Sequence, residues 1–239
     1  ISKFLSLDGE VKYFNRVNAI EDDGNLKKII TSENQFETEF LINCAGLYSD
    51  TVAKLDNLEP NLQIIPFRGE YFTIDSKKSN YVNNMIYPIA DPNLPFLGIH
   101  LTKTIDGNIE AGPNAVLAFA KEGYDWSTFN VKEFASTISY KGMWKLGRKY
   151  LKTGISEMYR SLNKKVFLSE ISKFIPDINA SDLTPRVSGV RAQAVDIDGN
   201  LVDDFVFESK DNSLHVLNAP SPAATSSFAI GEYIASKVS

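Results

Sequence analysis

Cysteine is nearly absent: Cys44 is the only one in 239 residues. One thiol excludes an intrachain disulfide and a structural zinc site built on cysteines, and it suits a reducing compartment. Histidine is almost as scarce. His100 and His215 are the only two, so any imidazole base in this chain is one of them. No apolar run approaches the length of a membrane span, and the opening residues lack the charged and apolar regions of a signal peptide. The expected location is therefore cytoplasmic. Positive charge is not in excess either, with 25 Lys and Arg against 30 Asp and Glu, a net charge of −5. A general nucleic-acid binder needs cations to neutralise phosphates, so nucleic acid is not an expected partner. Internal repeats, low-complexity linkers and a metal-ligand pattern are also missing.

What is present is enough for one large or two small domains. Phe4 to Leu7, the Asp8-Gly9 turn and Val11 to Phe14 read as a hairpin. The chain thus opens inside a domain, as though an N-terminal part preceded it. Val17 to Ile20 and Leu26 to Thr31 flank a turn at Asp22 to Asn25 and read as a second hairpin. Phe36 to Phe40 alternates with period two and runs on into the more apolar Leu41 to Cys44, which reads as one strand buried on both faces at its end. Ala45-Gly46 closes it, and Ser49 or Asp50 is placed to cap a helix carrying Val52, Ala53 and Leu55.

From Pro66 the character changes. Glu70 to Ile74, Met85 to Ile89, Phe96 to Leu101 and Asn108 to Ala111 are short strand-like runs separated by Pro, Asn, Asp and Gly, as in an antiparallel sheet. Three helical stripes follow: Val131 to Ile138, Ile155 to Leu162, and Phe167 to Ile175 ahead of Pro176. Strands return at Gly189 to Ala194, Phe205 to Phe207 and Leu214 to Leu217, before a terminal helix. The layout is discontinuous. Residues 1–65 and 180–239 form one part, and 66–179 form an inserted sheet-plus-helix part.

The turn from Asn218 to Ser227 is Asn-Ala-Pro-Ser-Pro-Ala-Ala-Thr-Ser-Ser. Small residues permit close backbone approach, prolines fix the turn, and Thr225 to Ser227 are placed to cap the following helix. A helix N-terminus entered from a strand suits an anionic or electron-accepting group. The alternative is a capped helix that holds nothing.

Several longer blocks carry a resemblance. Pro66-Phe67-Arg68-Gly69-Glu70-Tyr71-Phe72, Met85 to Ile89, Pro95 to Thr102, Gly112 to Phe119, Gly189 to Ala194 and Asn218 to Ser226 come in this order. Together they resemble the L-2-hydroxyglutarate oxidase/dehydrogenase family, flavoenzymes of the D-amino-acid-oxidase-like, glycine-oxidase group. The match covers nearly the whole chain. That family begins with a Gly-x-Gly-x-x-Gly turn for the FAD pyrophosphate, which none of the fourteen glycines forms here. The resemblance therefore implies the C-terminal portion of a two-domain α+β/α/β flavoprotein. It would hold a remnant of an FAD-binding domain (1–65 and 180–239) and an antiparallel-sheet substrate domain (66–179).

The implied reaction is FAD-dependent oxidation of L-2-hydroxyglutarate to 2-oxoglutarate, with quinone or oxygen as electron acceptor. A related flavin amine oxidase of the glycine or sarcosine type, and a non-catalytic folded fragment, stand as alternatives. Such chemistry needs a carboxylate anchor, a base for the hydroxyl proton and stabilisation of the reduced flavin. Arg191 is the expected anchor, since a guanidinium grips a carboxylate through two parallel hydrogen bonds. The competing reading pairs it with an acid such as Asp196. His100 is the expected base and His215 the lesser candidate, a structural role being open to both. Tyr87, Arg68 and Gln193 are expected around the dicarboxylate substrate, though Arg68 could equally pair with Glu70. The resemblance assigns Ala45, Gly46, Ser221, Pro222, Ala223, Ala224 and Thr225 to the cofactor.

Lys141, Lys145, Arg148, Lys149 and Lys152 share one face of a helix, with Met143, Trp144, Leu146, Tyr150 and Leu151 opposite. Such a helix can rest on an anionic surface, so peripheral contact with the inner membrane is a further expectation. A solvated charged face is the plain alternative. Homo-oligomerisation through an exposed strand edge is also expected.

Overall fold

The computed structural model describes residues 1–89, 98–221 and 223–238. In chain order the elements are α1 (Ser2–Leu5), β1 (Val17–Asp23), β2 (Leu26–Thr31), β3 (Gln35–Thr38), β4 (Leu41–Asn43), α2 (Ser49–Leu55), β5 (Leu62–Gly69) and β6 (Phe72–Ile74). Next come β7 (His100–Lys103), β8 (Ile109–Gly112), β9 (Val116–Leu117), α3 (Val131–Ser139), α4 (Lys141–Lys149), α5 (Leu151–Leu162) and α6 (Lys164–Ile171). The chain ends with β10 (Leu183–Pro185), β11 (Gly189–Asp196), β12 (Val206–Lys210), β13 (Ser213–Asn218) and α7 (Ser227–Ala235). The fold is mixed α+β with mainly antiparallel sheets. Two compact units divide it: Ile1–Pro60 with Asp204–Ser239, and Asn61–Asp203.

The first unit holds two three-stranded sheets, β1-β2-β3 and β12-β13-β4. The β1–β2 hairpin forms where expected, and Gly24 at φ +63° supplies the left-handed turn residue it needs. The hairpin expected at Phe4 to Phe14 is absent. Its apolar side chains stay in solvent, so no buried face pins a strand register. Local bonds prevail, with Leu5 N–H donating to Ile1 O and Ser6 N–H to Ser2 O. The single strand expected from Phe36 to Cys44 is two strands in different sheets. Thr38 Oγ donates to Phe40 O at the break, and β4 turns away to pair parallel with β13. Nor is its end buried on both faces, since Ile42 is exposed. Ser49 and Asp50 lie inside α2 and do not cap it.

In the second unit, β5 pairs along its full length with β11, from Gly69↔Gly189 to Leu62↔Asp196. That ladder explains why the compact units part at Pro60/Asn61 and Asp203/Asp204, whereas the sequence suggested breaks at 65/66 and 179/180. β11 belongs beside β5, on the sheet it hydrogen-bonds. A second sheet runs β10-β6-β8-β7. Helix α6 lays Phe167 and Ile171 on it, and Ile175 and Ile178 after the helix continue the stripe over Ile74, Leu101 and Ile109. Each such side chain contributes roughly 1.5–3 kcal/mol by leaving water. Met85 to Ile89 is not a strand; among the described residues its ladder contact is the bridge Ile86↔Leu101. Part of the run Phe96 to Leu101 lies outside the described residues, and β7 carries the remainder.

Candidate functional site

In the unit Asn61–Asp203, His100 opens β7. Its Nδ1 lies 3.2 Å from the Gly98 carbonyl oxygen. A carbonyl only accepts, so Nδ1 carries the hydrogen and Nε2 keeps its lone pair. The Tyr87 ring stacks on the imidazole with centroids 4.4 Å apart. Burial lowers the His100 pKa, the Gly98 hydrogen bond opposes this, and the positive charge of Arg191 lowers it again; the net shift is downward. The imidazole is therefore neutral at neutral pH, as a general base must be. Arg191 sits in β11 opposite Phe67 and is half-buried. The fold thus joins Tyr87 to His100 and holds Arg191 within electrostatic reach.

Two other expected substrate ligands have partners of their own. Arg68 is fully buried. Its guanidinium pairs with Glu70 at 3.1 Å, donates to Asp125 O at 2.8 Å, and lies 4.3 Å from the Trp126 ring centre. Glu70 is further held by Asn114 Nδ2 at 2.8 Å and by the Ser161 hydroxyl. A guanidinium with these partners and no solvent path is a structural cation, so the role of carboxylate ligand is corrected to the Glu70 pairing. Gln193 directs its Nε2 to the carbonyl oxygens of Ala194 (3.1 Å) and Val202 (3.5 Å). No contact of it with His100 or Tyr87 is found among the described residues.

His215 belongs to the other unit and is fully buried. Asn43 Nδ2 donates to Ser49 O (2.8 Å) and lies 3.0 Å from His215 Nδ1, so Nδ1 accepts. His215 Nε2 is then the donor, 3.0 Å from Asp56 Oδ2. Ser213 Oγ and Lys27 Nζ reach the same carboxylate at 2.5 and 2.6 Å, and Lys27 also pairs with Asp22. Burial pushes the Asp56 carboxyl up, but hydrogen bonds from Lys27, Ser213 and His215 outweigh it, and the net shift is downward. Burial opposes the Lys27 charge, yet bonds to Asp22 and Asp56 raise its pKa overall. This enclosed Ser–His–Asp set has no route for a substrate, so His215 is structural. The sequence reading missed Lys27, Asp56, Asn43 and Ser49. One signal was available: Lys27 shares its strand face with the buried Ile29, and a charge at an inward position demands a partner.

The expected cofactor residues cluster at one edge of that unit. β4 and β13 are parallel, so their carboxyl ends emerge together, where open α/β sheets accept ligands. Asn43 leads into Ala45 and Gly46, with Ala45 N–H on Asn43 Oδ1 at 3.1 Å and Gly46 at φ +56°. Asn218 leads into residues 219–226. Ser49 Oγ donates to Leu217 O at 3.0 Å and ties the two turns. Ala45, Gly46, Ser221, Ala224 and Thr225 are exposed and Ala223 is half-buried; Pro222 lies outside the described residues. Among the described residues no side chain caps α7, and a helix N-terminus presents backbone N–H donors to an incoming group. The segment 218–227 carries no acid. Small exposed residues, a helix N-terminus and absent negative charge fit a flavin or phosphate-bearing cofactor.

Residues 2–237 match the family model described as FAD dependent oxidoreductase (DAO). The chain belongs to this family. Among curated members, it is 50% identical to the L-2-hydroxyglutarate dehydrogenase of Indibacter alkaliphilus over 96% of this chain and 58% of that protein. The enzyme of that name from Escherichia coli K12 is 44% identical over 98% and 56%. A mitochondrial one from Nematostella vectensis is 45% identical over 86% and 46%. The chain thus spans about half the length of the relatives it matches. Among solved structures, FAD-bound L-alpha-glycerophosphate oxidase from Mycoplasma pneumoniae shares the fold with TM-score 0.61 at 17% identity, over 90% of this chain and 48% of that one. The FAD complex of Bacillus halodurans glycerol-3-phosphate dehydrogenase gives TM-score 0.53 at 13% identity, over 98% and 40%. No helix among the described residues of this family member is long and apolar enough to cross a membrane.

Proposed function

We propose that this chain contributes the substrate groups and part of the cofactor site of an FAD-dependent enzyme that oxidises L-2-hydroxyglutarate to 2-oxoglutarate. The observation that carries the reading is the neutral His100, with a lone pair on Nε2 and the Arg191 cation nearby. It is supported by relatives of that name at 43–50% identity. Arg191 binds the carboxylate next to the hydroxyl-bearing carbon. His100 Nε2 takes the hydroxyl proton, while Tyr87 packs the imidazole in place. Bound FAD would supply the acceptor for the hydride. Ala45, Gly46 and residues 221–225 would hold it, with the α7 amides favouring negative charge.

The electron acceptor is a quinone or oxygen. The test loads the protein with FAD and follows bleaching of the flavin band under anaerobic conditions with L-2-hydroxyglutarate, D-2-hydroxyglutarate, glycine or sarcosine. Bleaching by L-2-hydroxyglutarate alone is expected. Bleaching by glycine or sarcosine would instead favour an amine oxidase. Flavin that binds but responds to none of the four would refute the oxidoreductase reading for this chain.

A further inference from the structure

Asn43 closes β4 and is buried, yet its amide reaches both ends of the turn that carries Ala45 and Gly46. Oδ1 accepts from Ala45 N–H at 3.1 Å, and Nδ2 donates to Ser49 O at 2.8 Å. Between them Gly46–Tyr48 makes a single tight turn, closed by Tyr48 N–H on Ala45 O at 3.0 Å. Ser49 then fastens its hydroxyl to Leu217 O, where the second turn starts. The other Nδ2 hydrogen meets His215 Nδ1 at 3.0 Å. Backbone groups alone orient this amide, since an N–H only donates and a carbonyl only accepts. His215 Nδ1 must therefore accept. Across the ring, Asp56 Oδ2 stands 3.0 Å from Nε2, and a carboxylate only accepts, so Nε2 must donate. Ser213 Oγ lies 3.2 Å from the same nitrogen and directs its hydrogen to Asp56. Two separate neighbours thus demand one tautomer.

The tautomer has a consequence at the turn. With the hydrogen on Nδ1, the Asn43 amide would have to turn over, setting Oδ1 towards the ring and Nδ2 against Ala45 N–H. Two donors would then face each other, and Ser49 O would lose its hydrogen bond. Packing alone does not need this arrangement. Apolar side chains of similar volume often serve buried positions as well as a polar set does, but none could hold Ala45 N–H and Ser49 O in register. Ser49 begins α2 and Asp56 follows its last turn, so both ends of one helix join the chain Asp56–His215–Asn43–Ser49. Lys27 takes the other carboxylate oxygen, Oδ1, at 2.6 Å, which leaves Oδ2 to Ser213 and His215.

We infer that Asp56, His215 and Asn43 are positioning residues for the cofactor: the carboxylate fixes the His215 tautomer, the tautomer fixes the Asn43 amide, and the amide sets the turn at Ala45 and Gly46. The inference rests on the reading that this edge holds FAD. NMR of the imidazole nitrogens comes first and needs no variant to fold. The two histidines should show opposite neutral tautomers, Nδ1–H for His100 and Nε2–H for His215, with His100→Asn assigning the pair. Hydrogen on His215 Nδ1 in the wild type would overturn the relay. In Asp56→Asn, Lys27 can only donate and so claims the amide oxygen, which turns the NH2 group to His215. Its hydrogen should move to Nδ1, and the Kd for FAD should rise on the order of tenfold. His215→Asn places a carboxamide oxygen where Nδ1 stands and should keep the Kd within about threefold, whereas His215→Leu should raise it about tenfold. Leu214→Ala is the control, because Leu214 packs on the opposite face of β13. It should lower urea stability and leave the Kd unchanged. Equal weakening of FAD by Leu214→Ala and His215→Leu would reduce the three residues to fold stabilisers and overturn the proposal. FAD bound equally by every variant would overturn the relay alone; a wild type that binds no FAD would overturn the cofactor reading with it.

Discussion

A base that must stay unprotonated at neutral pH needs either low polarity or a neighbouring cation, and His100 has both. Because the Arg191 charge helps hold the imidazole pKa down, Arg191→Met should raise it. Titration of the imidazole resonances by NMR checks this without a substrate. For the proposed reaction, activity should rise with pH through a midpoint below the ordinary histidine value of about 6.5. His100→Asn should cost about 10²- to 10⁴-fold in turnover and remove that limb of the pH–rate profile. Arg68 makes the opposite case at the same scale. Arg68→Met leaves Glu70 without its cation and should cost about 3–5 kcal/mol of stability, measured by urea denaturation. A large rise in KM at unchanged stability would restore Arg68 to the substrate.

At the scale of elements, the Lys27–Asp56–His215 network clamps β2, α2 and β13. Asp56→Ala leaves the buried Lys27 with Asp22 alone, removes the acceptor of Ser213 and His215, and should destabilise by about 3–5 kcal/mol. The pH dependence has a definite sign. Asp56 is held below its ordinary range, so its contribution is complete above about pH 4 and fades as pH falls through the lowered value. Lys27 is held above its ordinary range, so its share is complete below about pH 10 and fades as pH climbs through the raised value. Denaturation midpoints should therefore show no loss from the Lys27–Asp56 pair between those limits. Elements with a local signature were legible in the sequence: the Asp23-Gly24-Asn25 hairpin, α3, α6 and the strand–turn–helix around Asn218. Long-range partners were not. β5 was overlooked because it is completed by β11 across the inserted residues, and β4 was merged with β3 because only β13 distinguishes them. For α5 the period was right, and the stripe it marks faces solvent. Spacing reports that a stripe exists, not what covers it.

For the whole molecule, charge segregation matters more than net charge. The cationic segment 141–165 is set in an otherwise acidic chain whose pI is about 5.2. Near that pH the net repulsion vanishes while the local dipole persists, so light scattering should show a solubility minimum close to pH 5.2. Added salt should relieve it by screening the opposed surfaces. Candidate site residues follow the same division. Ala45, Gly46 and residues 221–225 belong to the unit Ile1–Pro60 with Asp204–Ser239, whereas Tyr87, His100 and Arg191 belong to Asn61–Asp203. The sequence placed both groups by motif. It named Arg191 as the anchor and left Arg68 open between the substrate and Glu70, a choice that the burial of Arg68 against Glu70 and Trp126 decides.

The parallel pairing of β4 with β13 also sets a timetable for synthesis. Asn43 and His215, which meet across it, are 172 residues apart. At about 5–20 residues per second, β4 waits on the order of ten to thirty seconds for its partner after leaving the ribosome. Asn61–Asp203 is a continuous stretch that emerges whole in the interval. β13 is thus made after the whole of Asn61–Asp203, and a nascent chain arrested before Ser213 should leave Asn43, buried in the folded protein, open to proteases until β13 emerges.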